Sequence, residues 1–60
     1  MNKYYEVCTT LHTICRTVNR EYAELSFEKA KTLNHTYLEL KEVTEDEHGY
    51  TAKSLKIFTR

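Results

Sequence analysis

The sequence predicts a small α+β domain in which one short helix packs on an antiparallel sheet, in the order strand, strand, helix, strand, strand. Three observations carry this. The last third alternates apolar and polar residues on either side of a turn-forming tip. Residues 26–34 repeat apolar side chains at helical spacing behind a serine, and the segment before them is rich in β-branched and aromatic residues. Residues 1–60 make a single domain, because a chain of this length buries only about 60% of its unfolded surface and has no apolar area left for a second core.

Residues 37–43 and 50–58 read as a hairpin joined through residues 44–49. Asp46 to Gly49 suits a type I turn, with the Asp46 carboxylate bonding the backbone ahead and Gly49 taking a positive φ. Closing the turn on these residues sets Leu40 opposite Leu55 and Leu38 opposite Ile57, all on one face. A slip of one residue would set Leu40 against Ser54 and Leu38 against Lys56, so the pattern specifies the register. The other face then carries Tyr37, Val43, Tyr50 and Phe58 among Glu39, Lys41 and Lys56, and is the natural contact surface.

In residues 26–34, Ser26 is the expected N-cap and Glu28 complements the helix dipole in the first turn. Phe27, Ala30 and Leu33 form the buried stripe, Lys29 and Lys31 face water, and Asn34 ends the helix in a left-handed conformation. A helix this short falls below the ~12–15 residues needed for marginal stability, so it exists only against the sheet.

The first twenty-five residues pull two ways. Tyr4, Tyr5, Val7, Thr9, Thr10, Thr13, Ile14, Thr17 and Val18 favour strand. Tyr4, Val7, Leu11, Ile14, Val18, Tyr22 and Leu25 follow a spacing that would line one face of a long helix. Side-chain preference favours two strands with Asn19 and Arg20 as the turn, and a first strand reaching Val18 has to bend or break near Leu11 to Thr13. The alternative is two helices followed by a hairpin.

Composition excludes several function classes. Nine Lys plus Arg balance nine Asp plus Glu, so the general attraction that nucleic-acid and membrane-surface binders use is absent. No apolar run exceeds three residues, which excludes a membrane-spanning helix and a signal-peptide core and leads to the expectation of a cytoplasmic protein. One Gly and no Pro cannot build a phosphate-binding loop. Cys8, His12 and Cys15 are metal-ligand types, yet a structural zinc site wants four ligands, and two cysteines in a reducing compartment default to free thiols. A cysteine nucleophile also needs an oxyanion hole and a cleft, which nothing here supplies. The expectation is a protein that is not an enzyme and uses no metal or cofactor.

Charge placement says more than charge total. Glu39, Glu42, Glu45, Asp46 and Glu47 stand against Lys41 alone, whereas Lys53, Lys56 and Arg60 follow with no acid after Glu47. Cross-strand pairing of Glu39 or Glu42 with Lys53 or Lys56 accounts for part of this, and an acidic ridge facing a basic partner would account for the tip. Five Tyr interleaved with Lys and Arg point to a protein interface, where these residues concentrate.

The stretch from Tyr22 through Ser26 to Leu33, read as a strand running into a Ser-capped helix, resembles the strand-to-helix joint of small α+β proteins. Phage-encoded inhibitors of host RNA polymerase and anti-CRISPR proteins are among them. The resemblance covers about a fifth of the chain and assigns no site residue. It implies a viral or mobile-element protein that binds and blocks a host factor. The resulting expectation is a homodimeric module that occludes a functional surface of a host enzyme or defence protein. Tyr37, Tyr50, Lys53, Lys56 and Phe58 would make the contact on or beside the hairpin, with Glu45, Asp46 and Glu47 at its tip. The alternative is a nucleic-acid-binding regulator, a dimer presenting Arg16, Arg20, Lys53 and Lys56.

Overall fold

The computed structural model describes residues 2–60. The elements run β1 (Asn2–Cys8), β2 (Thr13–Thr17), α1 (Arg20–Lys31), β3 (Tyr37–Asp46) and β4 (Gly49–Thr59). The sheet is antiparallel in the order β2-β1-β3-β4, with α1 across one face, which is the predicted fold class and element order. The second strand, however, is Thr13–Thr17, and the stretch from Tyr22 to Leu25, expected as a strand, is helix. Several boundaries differ from expectation, each for a local physical reason.

Both early strands lie before Val18, and the chain breaks at residues 9–12, close to the place where a single strand could not continue. Thr9 makes that break. Its hydroxyl accepts from the backbone N–H groups of Leu11 and His12 at 3.1 Å, and its own N–H donates to the His12 carbonyl at 2.8 Å. Asn19 and Arg20 are therefore not a turn between strands. Asn19 is the N-cap of α1, with extended backbone and an Oδ1 that accepts from the Tyr22 N–H at 3.0 Å. Ser26 is consequently interior to the helix and caps nothing.

Starting at Arg20 gives α1 twelve residues and lets Ala23, Phe27 and Ala30 form its buried stripe. Leu33 is exposed instead of buried. Thr32 closes the helix from the right-handed region, its hydroxyl donating to the Lys29 carbonyl at 2.7 Å. Asn34 is not left-handed, since no residue other than Gly49 has positive φ among those described. Lys31 does not simply face water. Its ammonium lies 5.0 Å from the Phe27 ring and 3.1 Å from Glu28.

The hairpin closes as expected. The His48 N–H donates to Asp46 Oδ1 at 2.8 Å, and Gly49 takes φ +123. The predicted register holds from Glu45 opposite Tyr50 to Lys41 opposite Ser54, and then Leu55 bulges out of the ladder. Beyond it Leu40 faces Lys56 and Leu38 faces Phe58, in place of Leu55 and Ile57. Leu55 still packs on the core, and the bulge turns Phe58 toward it and leaves Ile57 60% exposed on the other side. Burying an aromatic ring in place of Ile57 removes more apolar area from water. It also brings Arg60 within 2.7 Å of the Lys31 carbonyl, an otherwise free acceptor at the end of α1.

The core is Tyr5, Val7, Leu38 and Leu40 of the sheet against Ala23, Phe27 and Ala30 of α1, with Cys15, Leu55 and Phe58 packed around it. Phe27, Leu38, Leu40 and Val7 are the largest fully buried side chains. At ~1.5–3 kcal/mol each, their burial is what holds a helix that would melt alone. No buried side-chain polar atom lacks a partner among the described residues.

Candidate protein-interaction surface

Three surfaces are available for contact: the sheet face away from α1, the hairpin with its tip, and the outer side of the helix. On the first, alternation places Tyr4, Glu6 and Cys8 of β1 beside Tyr37, Glu39, Lys41 and Val43 of β3. This face is largely covered by its own side chains. Glu6 is buried, and its Oε2 accepts from Arg16 Nε at 2.8 Å and lies 2.7 Å from the second guanidinium nitrogen. That hydrogen bond, and then the Glu6 charge, push the Arg16 guanidinium above its ordinary value. Arg16 also lies 5.4 Å from the Tyr4 ring, so it is engaged on both sides. Tyr37 is half-buried here. Burial, followed by the charge of Glu39 and a hydrogen bond to it, holds its phenol above the ordinary value.

The hairpin carries the residues expected from the sequence, but they fall into separate groups. Tyr50 is 72% exposed near the tip, on the same face as Tyr37. The bulge moves Phe58 and Lys56 to the helix side, so the predicted contact face loses both. Phe58 packs against the core under Lys31 and Arg60, at 5.7 and 5.5 Å from its ring, and Lys56 reaches Glu24 at 3.9 Å. Lys53 stands opposite Glu42, whose carboxylate is 3.9 Å from Lys3, and Lys53 makes no ion pair among the described residues. Glu45, Asp46 and Glu47 are exposed at the tip, where Asp46 serves the turn.

The four cations of the nucleic-acid reading are not gathered into one patch. Arg20 and Lys56 meet on Glu24, at 3.0 and 3.9 Å, but Arg16 is tied to Glu6 on the face away from α1, three strand positions or about 14 Å across the sheet from Lys53 and Lys56. Cys8 and Cys15 are free and lie on opposite faces of the sheet, so with His12 they do not converge. Cys8 Sγ rests 3.7 Å from Thr13 Oγ1, and Cys15 packs on the core. No cluster of three potential metal ligands occurs among the described residues.

The third surface was missed by sequence reasoning. Tyr22, Leu25 and Leu33 stand on the outer side of α1 and its C-terminal extension, 56%, 68% and 55% exposed, and Ile14 joins them from the edge of β2. A groove of about 570 Å³ runs past Tyr22, Leu25, Ser26 and Lys29, and an adjoining one past Ile14, Tyr22, Lys29 and Leu33. The spacing of Ile14, Val18, Tyr22 and Leu25 was visible in the sequence, but it is split among β2, the connection at Val18 and α1 instead of lining one helix.

Fold and surface together define a class: a small helix-on-sheet α+β protein whose exposed features are open grooves and strand edges. No helix of the described residues is long and apolar enough to cross a membrane. No family model matches the chain, no curated protein resembles it significantly, and no solved structure is significantly similar to it.

Proposed function

We propose that this chain is a protein-binding module that acts by occlusion, without chemistry of its own. The observation that carries the reading is the apolar ridge of Tyr22, Leu25, Leu33 and Ile14, which nothing among the described residues covers. Contiguous apolar patches on a small domain mark places where another protein sits. Tyr22 supplies the large amphipathic ring that interface centres favour, and Lys29, Glu28 and Glu21 give the ridge a polar rim. Residues 22–33 hold no strand-to-helix joint, because α1 already runs from Arg20 under an Asn19 cap. The reading as an antagonist that covers a working surface of a host enzyme or defence protein in the host cytoplasm therefore rests on the ridge and not on the resemblance to phage-encoded inhibitors.

The test is capture from nuclease-treated lysate of the host by the tagged chain, beside a Tyr22→Ala, Leu25→Glu double variant. Both positions are exposed and helical, so circular dichroism should show the fold unchanged. One stoichiometric protein retained by the wild type and lost by the variant is the expected result. An empty eluate, or capture indifferent to the two substitutions, would overturn the reading.

A further inference from the structure

We propose that the outer edge of β4 binds an extended acidic segment of another protein by strand addition. This goes beyond the helix ridge and uses a different edge of the molecule, which meets the ridge only where Leu25 and Lys56 line one groove. The edge is long and open. β4 has eleven residues, roughly 36 Å, whereas α1 spans about 18 Å and leaves much of the hairpin uncovered. Its outer side has no neighbouring strand among the described residues.

Charge selects the occupant. Residues 49–60 contain Lys53, Lys56 and Arg60 and no acid, while β3, already paired on the inner side, is the acidic strand. The bulge at Leu55 sharpens this. Lys53 faces Glu42 and Lys56 faces Leu40, so two lysines three apart in sequence stand at two-residue spacing on the helix side, about 7 Å apart. Neither is fully engaged, since Lys53 has no ion pair among the described residues and Lys56 meets Glu24 only at 3.9 Å. The other side of the same edge presents Tyr50 and Ile57, both mostly exposed, with the small Ala52 and Ser54 between them. An incoming strand with acids at alternate positions would set them beside Lys53 and Lys56 and lay its apolar side chains on Tyr50 and Ile57. A second copy of this chain is a poor occupant, because antiparallel pairing of β4 with itself sets three cations against three with no acid between them. Edge lysines also discourage pairing in general, and that role alone predicts an edge that binds nothing.

The full chain, labelled with nitrogen-15, is titrated with a capped peptide of about ten residues alternating Glu with Val and Thr. Its controls are the same peptide with Lys for Glu, and one N-methylated at alternate amides. Expected are slowed amide exchange confined to β4, binding that weakens with salt, and no binding of the N-methylated peptide. The Lys53→Glu, Lys56→Glu variant should bind the Glu peptide at least about tenfold more weakly and gain the Lys peptide. The salt titration on the wild type keeps the test valid should that variant not fold. Equal binding of the Glu and Lys peptides, protection along α1, concentration-dependent protection of β4 without peptide, or no binding at all would each overturn the proposal. The grooves at Tyr22 contain no β4 residue, so loss of capture by Tyr22→Ala alone reads a different surface and either idea can fail alone.

Discussion

Replacing Ile57 and Phe58 separately by alanine tests the bulge that decides which side of β4 meets the core. In an unbulged ladder Ile57 lies under the helix and Phe58 faces water; in the structure the two are exchanged. A fully buried Phe→Ala change costs ~3–5 kcal/mol. Phe58 is only partly buried against the edge of the core, so about half of that, ~2 kcal/mol, is expected. Ile57 is 60% exposed, and its truncation should cost about 0.5 kcal/mol, mostly lost strand preference. Against the ~3–9 kcal/mol total expected of sixty residues, the difference is large. Urea unfolding followed by circular dichroism reads it directly. With a slope near 1 kcal/mol per molar, Phe58→Ala should lower the midpoint by about 2 M and Ile57→Ala by about 0.5 M. Equal losses, or a larger loss at Ile57, would refute the bulge and return the hairpin to a continuous register.

The cap assignment predicts that Asn19→Ala destabilises by about 1 kcal/mol and Asn19→Ser restores most of it, whereas Ser26→Ala is nearly neutral; thermal melts of the three variants separate these. Phe27→Ala empties the centre of the core and costs ~3–5 kcal/mol, enough to unfold a chain of this size, so a cooperative wild-type-like melt would contradict the packing. Because folding raises the Tyr37 pKa, it favours the protonated phenol. That contribution is complete below the ordinary value of 10.0 and is lost as pH rises through the higher folded value. Wild-type stability should therefore fall more steeply above pH 10 than that of Tyr37→Phe, and parallel curves for the two proteins would exclude the effect.

Legibility followed the range of the interactions. The hairpin tip was readable because Asp46 and Gly49 act within four residues, and the Asp46 bond to the His48 N–H is a local event. The break near Leu11 was readable from strand length, although the Thr9 turn that makes it was not. The helix start was misplaced because Asn19 and Ser26 are both competent caps. Which one wins depends on whether Ala23 or Leu33 joins Phe27 and Ala30 on the sheet, and no local rule decides that. Of the candidate contact residues, Tyr50, Lys53 and the tip acids are exposed on the hairpin, while Phe58 was drawn into the core by one extra residue.

By itself the amino-acid sequence determined the closed hairpin and a strand pair acidic on one arm and basic on the other, and it favoured the fold class over two helices and a hairpin without placing the second strand. Each of these follows from periodicity, turn chemistry or charge, which act over a few residues. Only the tertiary structure decided where the helix begins, where β4 bulges, and therefore which apolar side chains are buried and which stay in water. Those choices are competitions between nearly equivalent local solutions: Asn19 against Ser26, Ile57 against Phe58, Ala23 against Leu33. They are settled by how much apolar area the sheet and helix remove from water together, a quantity that exists only once the distant strands have met.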